Sequence, residues 1–249
     1  MRVRPKSWLS DLLEAATKVF IAKGYRQTQM SDIAREMGVS QGTLYNYVES
    51  KEALFMLACE HCFSDRPIIP PAEPPVRSPS FVTMLRKVRE QMLSVRVVSL
   101  ENALRSRKPR DARAELETIL REFYFVMERH RRGFDLIERS TGDVPALAKT
   151  MYVEGRRGAV GMFSNYLVER IKSGYFAPVP DPATAARYII ETVTWFARHR
   201  HNTPDSEMIS DAAALETTIH FLTNALMPGA SARRSSNQRP QTKLVRQNE

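Results

Sequence analysis

Thr28–Tyr47, TQMSDIAREMGVSQGTLYNY, is the stretch whose reading decides the fold. Thr28 is placed to cap a helix whose apolar face is Ile33, Ala34 and Met37. Gly38 then offers the left-handed backbone a tight turn requires, and Val39 anchors that turn. Ser40 is a second cap, opening a helix through Gly42, Thr43, Leu44, Tyr45, Asn46 and Tyr47 with Leu44 pointing inward. Cap, helix, short turn, cap and helix make a helix-turn-helix, whose second helix is shaped to enter a groove of DNA.

Upstream, Leu12, Leu13, Ala16, Val19 and Phe20 recur at helical spacing from a start near Trp8–Ser10, and Gly24 ends that helix. Downstream, Ser50 caps a fourth helix with Glu52 in its first turn and Leu54, Phe55 and Ala58 as apolar positions.

The combination resembles the TetR-type (tetracycline-repressor-like) transcriptional regulators over about Leu12 to Leu57, roughly one fifth of the chain. The residues that carry the likeness are Ala15-Ala16, Phe20, Gly24-Tyr25, Asp32-Ile33-Ala34, Gly38-Val39-Ser40, Gly42-Thr43-Leu44-Tyr45 and Lys51-Glu52. Two positions depart from the pattern. Val48 stands where phenylalanine is usual, which predicts looser core packing, and Gln29 follows Thr28 where a second Ser or Thr is common. The resemblance implies an all-α protein: a helix-turn-helix DNA-binding domain, then a larger helical domain for dimerisation and small-molecule binding. Its partners would be double-stranded DNA bearing a palindromic operator, a second copy of the chain, and an unidentified effector. Repression relieved by that effector is the expected mode; an activator, or an effector-independent DNA-binding dimer, is the alternative.

Gln41, Thr43 and Asn46 are short polar side chains suited to base edges, and Tyr45 and Tyr47 can reach sugars or phosphates, Tyr47 alternatively serving the core. Gly42 costs helix stability, which either close backbone approach to DNA or simple turn geometry explains. Thr28 and Gln29 open a helix whose free amides favour phosphate, and Lys51 occupies the position at which the resembled family clamps phosphate.

Composition fits this picture. The chain of 249 residues is 43% hydrophobic and 26% charged with a formal net charge of +9, a sign that favours polyanions. Residues 1–60 nevertheless carry 8 Lys/Arg against 7 Asp/Glu, so local placement must supply the electrostatics. Cys59 and Cys62 flank His61 in CEHC, but no second ligand pair accompanies them, so reduced thiols and no metal are expected. No run of 18 apolar residues and no secretory leader pattern is present, which predicts a cytoplasmic protein without a membrane span. The absence of a phosphate loop, nucleophile elbow or HExxH argues against an enzyme, and no cofactor is implied.

The expected domains are 1–57, with the fourth helix running to about 65; a stiff Pro-rich connector, 66–80, or else a folded lid over the adjoining domain; a helical domain, 81–227; and a disordered basic tail, 228–249. A basic arm, Arg2, Arg4 and Lys6, precedes the first helix. Helices are predicted over 80–104, 110–130, 132–139, 144–173, 182–201 and 205–227, with Asp181-Pro182 as a cap and first-turn proline. Gly155, Gly158 and Gly161 would allow close helix packing. Phe123, Met127, His130, Phe163 and Tyr166 are the candidate ligand pocket, His130 as its polar member; the alternative for each is a core position, which a helical domain needs filled and which for His130 means a hydrogen-bonded one. The candidate dimer surface is Ile189, Val193 and Phe196 on one helix with Met208, Ala212, Leu215, Ile219, Leu222 and Leu226 on the last, the alternative being that both are core helices of a monomer. Arg105, Arg107, Lys108, Arg110 and Arg113 read as a solvated loop between helices.

Overall fold

The computed structural model describes residues 8–64, 68, 74–106 and 108–228. The basic arm, residues 65–67 and 69–73, Arg107 and the tail from Gly229 lie outside them. Helices dominate, and the one β-type pairing among the described residues is an isolated bridge between Val48 and Val76.

Four helices build the N-terminal part: α1 (Trp8–Lys23), α2 (Met30–Glu36), α3 (Gln41–Tyr45) and α4 (Lys51–Phe63). The apolar stripe of α1 is buried as its spacing predicts, and Gly24 at φ +80° ends the helix. Gly38 at φ +67° makes the turn between α2 and α3. Ser40 and Ser50 cap α3 and α4 by accepting from Thr43 N and Ala53 N. The cap of α2 differs from expectation. Gln29, not Thr28, holds it, in a capping box with Asp32, because the Thr28 hydroxyl turns back to donate to Gly24 O at 2.7 Å. The α3 helix also ends at Tyr45, with Asn46 as its C-cap.

Val48 does not leave a loose site. It is fully buried, and its neighbours Tyr47 and Glu49 exchange backbone hydrogen bonds with Val76.

The remaining helices are α5 (Phe81–Leu93), α6 (Val98–Arg105), α7 (Ala112–Arg129), α8 (Arg131–Ser140), α9 (Pro145–Ala148), α10 (Arg157–Lys172), α11 (Pro182–Ala197) and α12 (Asp211–Leu226). The single helix predicted over 80–104 breaks at Ser94–Val97. There Ser94 Oγ donates to Gln91 O, and Glu122 of α7 accepts from Val98 N and Ser99 N, capping α6 from another element. Local sequence cannot disclose a cap supplied from so far away. A π-helical segment, Lys149–Arg156, joins α9 to α10. Of its neighbouring glycines only Gly155 is in close contact, with Met92 Cε 3.1 Å from where a Cβ would stand; Gly158 and Gly161 face open space. The last helix starts six residues later than predicted, after two short 3₁₀ turns, His199–Asn202 and Ser206–Met208.

Two cores form. The first joins α1–α5 with Leu136 and Ile137 of α8, Val144, Leu147 and Met151. The second gathers α6, α7, α10, α11 and α12 around Phe123, Tyr124, Phe163 and Tyr166. Helix α8 ties the two together. Arg132 pairs with Glu14 of α1 at 2.5 Å, while the buried Arg198 guanidinium after α11 pairs with Asp135 at 2.6 Å and with Glu138.

The candidate dimer stripe faces inward. Ile189, Val193, Ile219, Leu222 and Leu226 are buried within their own protomer, and Phe196 and Leu215 pack on the same core. Only Met208 and Ala212 are exposed, Met208 in a 3₁₀ turn ahead of the helix. Periodicity identifies an apolar face without saying whether its own chain or another covers it. The outward faces of α11 and α12 instead carry Tyr188, Trp195 and Phe221, exposed by 69%, 43% and 69%.

Candidate nucleic-acid interface

Leu44 is fully buried against the first core, and this fixes how α3 lies. With that residue inward, Gln41, Gly42, Tyr45 and Asn46 are exposed and Thr43 half-buried on the opposite side. Gln41 Nε2 donates to Tyr45 Oη at 3.3 Å, and Thr43 Oγ1 lies 2.9 Å from Ser40 Oγ, so the polar surface is partly preorganised. Nothing occupies the space around Gly42 beyond a 3.9 Å approach to Ser40 Oγ, so its small size is not required by packing inside the chain.

Tyr47 serves packing as well as surface: it is half-buried and stacks on Trp8 with ring centroids 3.4 Å apart. Thr28 is the candidate site residue that the structure removes from the surface. It is 1% exposed with its hydroxyl committed to Gly24 O, so its side chain is not available to DNA; Gln29 beside it is exposed.

Lys51 is more constrained than a surface cation. Its Nζ donates to Arg26 O at 3.2 Å and Thr28 O at 3.0 Å, and it stands 4.6 Å from the centre of the Tyr25 ring. Burial draws its pKa below the ordinary value, with Glu52 opposing. The ammonium thereby fastens the loop before α2 to the start of α4. Beside it the Tyr25 hydroxyl donates to Glu52 Oε1 at 2.6 Å. Burial pushes the Glu52 carboxyl up, but Tyr25, the backbone and Ser50 together leave it below its usual range. The Tyr25 hydroxyl is raised by burial and by Glu52.

The thiols of CEHC are unlike a metal or redox centre. Both are free; Cys59 is wholly buried and Cys62 lies 3.7 Å from Thr17 Oγ1. Burial raises both thiol pKa values, which keeps them protonated.

The five candidate pocket residues do not converge on an opening. Phe123, Met127, Phe163 and Tyr166 are close-packed in the second core, and Tyr166 Oη donates to Glu115 beside the buried Arg170. Only His130 reaches a cleft. Its Nδ1 donates to Cys62 O at 3.1 Å, in the last turn of α4, and its ring lies 5.8 Å from that of Phe63. The cleft, about 790 Å³, is bounded by Phe63, Val95, Val98, Phe125, Arg129 and His130 among others. Sequence reasoning missed it because its walls come from three separated stretches. It likewise missed the docking of Val76–Ser78 beside α3 and α4, inside the Pro-rich stretch.

The arrangement is a helix-turn-helix presenting α3, joined through α4 to a larger all-helical part. Residues 12–57 match the family described as bacterial regulatory proteins, tetR family. That match spans 46 of the 249 residues, from α1 into α4, so it is the helix-turn-helix part of the chain that is similar to this family. The fatty acid metabolism regulator protein of Bacillus subtilis is 40% identical over 53 residues, 21% of this chain and 26% of that protein. The HTH-type transcriptional repressor DhaR of a Mycobacterium species is 39% identical over 54 residues, 22% and 27% of the two chains. The chain thus matches about a quarter or less of the length of these curated relatives. The solved ketosteroid transcriptional regulator KstR2 of Mycobacterium tuberculosis superposes with a TM-score of 0.53 at 17% identity, covering 91% of this chain and 98% of that one. A TetR family regulator of Thermus thermophilus, PfmR, gives 0.51 at 19% identity, with 90% and 97% covered. At such identities the likeness is one of fold. No helix among the described residues is long and apolar enough to cross a membrane.

Proposed function

We propose that this protein is a sequence-specific DNA-binding repressor that acts as a homodimer on a palindromic operator in the cytoplasm and is released by a small-molecule effector. The observation that carries the reading is α3 itself, anchored by buried Leu44 and presenting Gln41, Thr43, Tyr45 and Asn46 outward. Short polar side chains on such a helix suit the donor and acceptor code of the major groove. The sign is supported by the relative DhaR, which is described as a repressor. Residues 8–63 serve as the DNA-binding domain and α5–α12 as the regulatory and dimerising part.

The dimer is assigned to the outward faces of α11 and α12, through Tyr188, Trp195 and Phe221. Aromatic side chains exposed on adjacent helices of one protomer are what an interface buries. The effector is assigned to the cleft beside His130 and Phe63. Phe63 ends α4, so a ligand seated there acts on the helix that starts at Lys51. Selection of bound duplexes from a random pool tests the DNA reading. A palindrome with half-sites about 34–36 Å apart, or a multiple of that, is expected, and recovery of no common sequence would refute it. A thermal-shift screen tests the effector: a cleft ligand should raise the melting temperature and weaken operator binding.

A further inference from the structure

The C-terminal part of the Pro-rich stretch is fastened to the DNA-binding domain before α5 begins. Val76 N donates to Tyr47 O at 2.6 Å, and Glu49 N donates to Val76 O at 2.9 Å. Two residues on, Ser78 N donates to Glu49 Oε2 and Ser78 Oγ to Ser50 Oγ, each at 2.8 Å. Tyr47 follows α3, and Ser50 is the cap of α4, immediately before Lys51. A strap is therefore laid along the corner between the two helices that carry the candidate DNA contacts.

Arg77 sits between the strap's two points of attachment. Side chains alternate across an extended segment, so with Val76 and Ser78 both held to the domain, Arg77 projects away from it. It is exposed, and its guanidinium has no ion pair or hydrogen bond among the described residues. That freedom is unusual nearby. Lys18 pairs with Glu36, Lys23 and Arg35 both pair with Asp32, and Lys51 is held by two carbonyls. Among the described residues Arg26, whose carbonyl Lys51 grips, is also an exposed cation without a partner at this corner. The nearby carboxylates are held by hydrogen bonds, Glu49 from Ser78 N and Glu52 from Tyr25, and neither is paired with Arg77.

We infer that the strap belongs to the DNA-contacting surface, with Arg77 placing its guanidinium on a backbone phosphate flanking the groove that α3 enters. The inference rests on the proposed DNA binding and extends it to a segment outside the helix-turn-helix. It also accounts for how a domain with 8 basic and 7 acidic residues over positions 1–60 gains positive charge where it is needed. A phosphate contact positions the protein without reading sequence. Arg77 should therefore act alike on every operator variant.

The test is fluorescence anisotropy with the full chain and a selected duplex, over a series of salt concentrations, for wild type, Arg77→Gln, Arg77→Glu and a control, Arg86→Gln on α5. Each neutralised phosphate adds about 0.9 to the salt slope of log affinity. Losing one per subunit should lower the slope of the dimer by about 2 in Arg77→Gln. Affinity should fall equally for all operator variants and fall further in Arg77→Glu, with Arg86→Gln and all melting temperatures unchanged. Wild-type slope and affinity in Arg77→Gln would overturn the inference while leaving the proposed function standing, and so would a changed base preference. A wild type that binds no selected duplex would refute the proposed function and this inference with it.

Discussion

Replacing Phe221 with aspartate should separate the two subunits without unfolding either. In the protomer the ring is 69% exposed, so the substitution costs the isolated fold no more than about 0.5 kcal/mol. At the centre of an isologous interface the same change is counted twice. A buried carboxylate without a partner costs about 3–5 kcal/mol. Two copies thus remove on the order of 6 kcal/mol or more, about four powers of ten in dissociation constant. A nanomolar dimer would become one of tens of micromolar. Its neighbour Leu222 supplies the contrast. It is 4% exposed and belongs to the second core, so Leu222→Ala should cost about 2–5 kcal/mol of folding stability. Sedimentation velocity at low micromolar concentration, paired with thermal unfolding, reads both effects. Phe221→Asp should sediment as a folded monomer that has lost tight operator binding, and Leu222→Ala as a dimer with a lowered melting temperature. A Phe221→Asp protein that remains dimeric would refute the reasoning, as would a Leu222→Ala protein that dissociates while keeping its wild-type melting temperature.

Asn46→Ala and Gln41→Ala should change which operator variants are preferred, while Lys51→Ala should weaken all of them; affinities over an operator panel decide between these roles. Because Lys51 also holds Arg26 O and Thr28 O, its loss should lower the melting temperature as well, which a purely external phosphate contact would not do. Gly133→Ala should destabilise the fold by roughly 1–3 kcal/mol through overpacking, because a Cβ there would stand 2.8 Å from the Phe63 ring; denaturant unfolding measures it. Acid should loosen the N-terminal part. Lys23 and the Gln29 backbone hold the Asp32 carboxyl below its ordinary value, and the Glu14 carboxyl, raised by burial, is brought below its own by His61 and Arg132. Groups with depressed pKa values add stability above the unfolded carboxylate range and lose it as pH falls through their folded values. The melting temperature should therefore drop below about pH 4, and replacing Glu14 with glutamine should flatten part of that drop.

The sequence by itself determined the helix-turn-helix, because every signal there is local. Ser40 and Ser50 cap the helices that follow them, Gly24 and Gly38 take the positive φ their turns require, and Leu44 has only one face to bury. The all-helical class and the stripe of α7 were legible for the same reason. What the tertiary structure alone decided is what each apolar or polar face meets. The stripe through Ile219, Leu222 and Leu226 has the spacing of an interface and the burial of a core, since period records a face and not its partner. Thr28 can cap a helix, but a carbonyl one turn back takes its hydroxyl, and Gln29 caps instead. The break between α5 and α6 depends on Glu122, supplied from α7, and the strap at Val76–Ser78 depends on atoms of residues 47–50. Each of these is a contact between groups far apart along the chain, and no local pattern of residues encodes the distance between them.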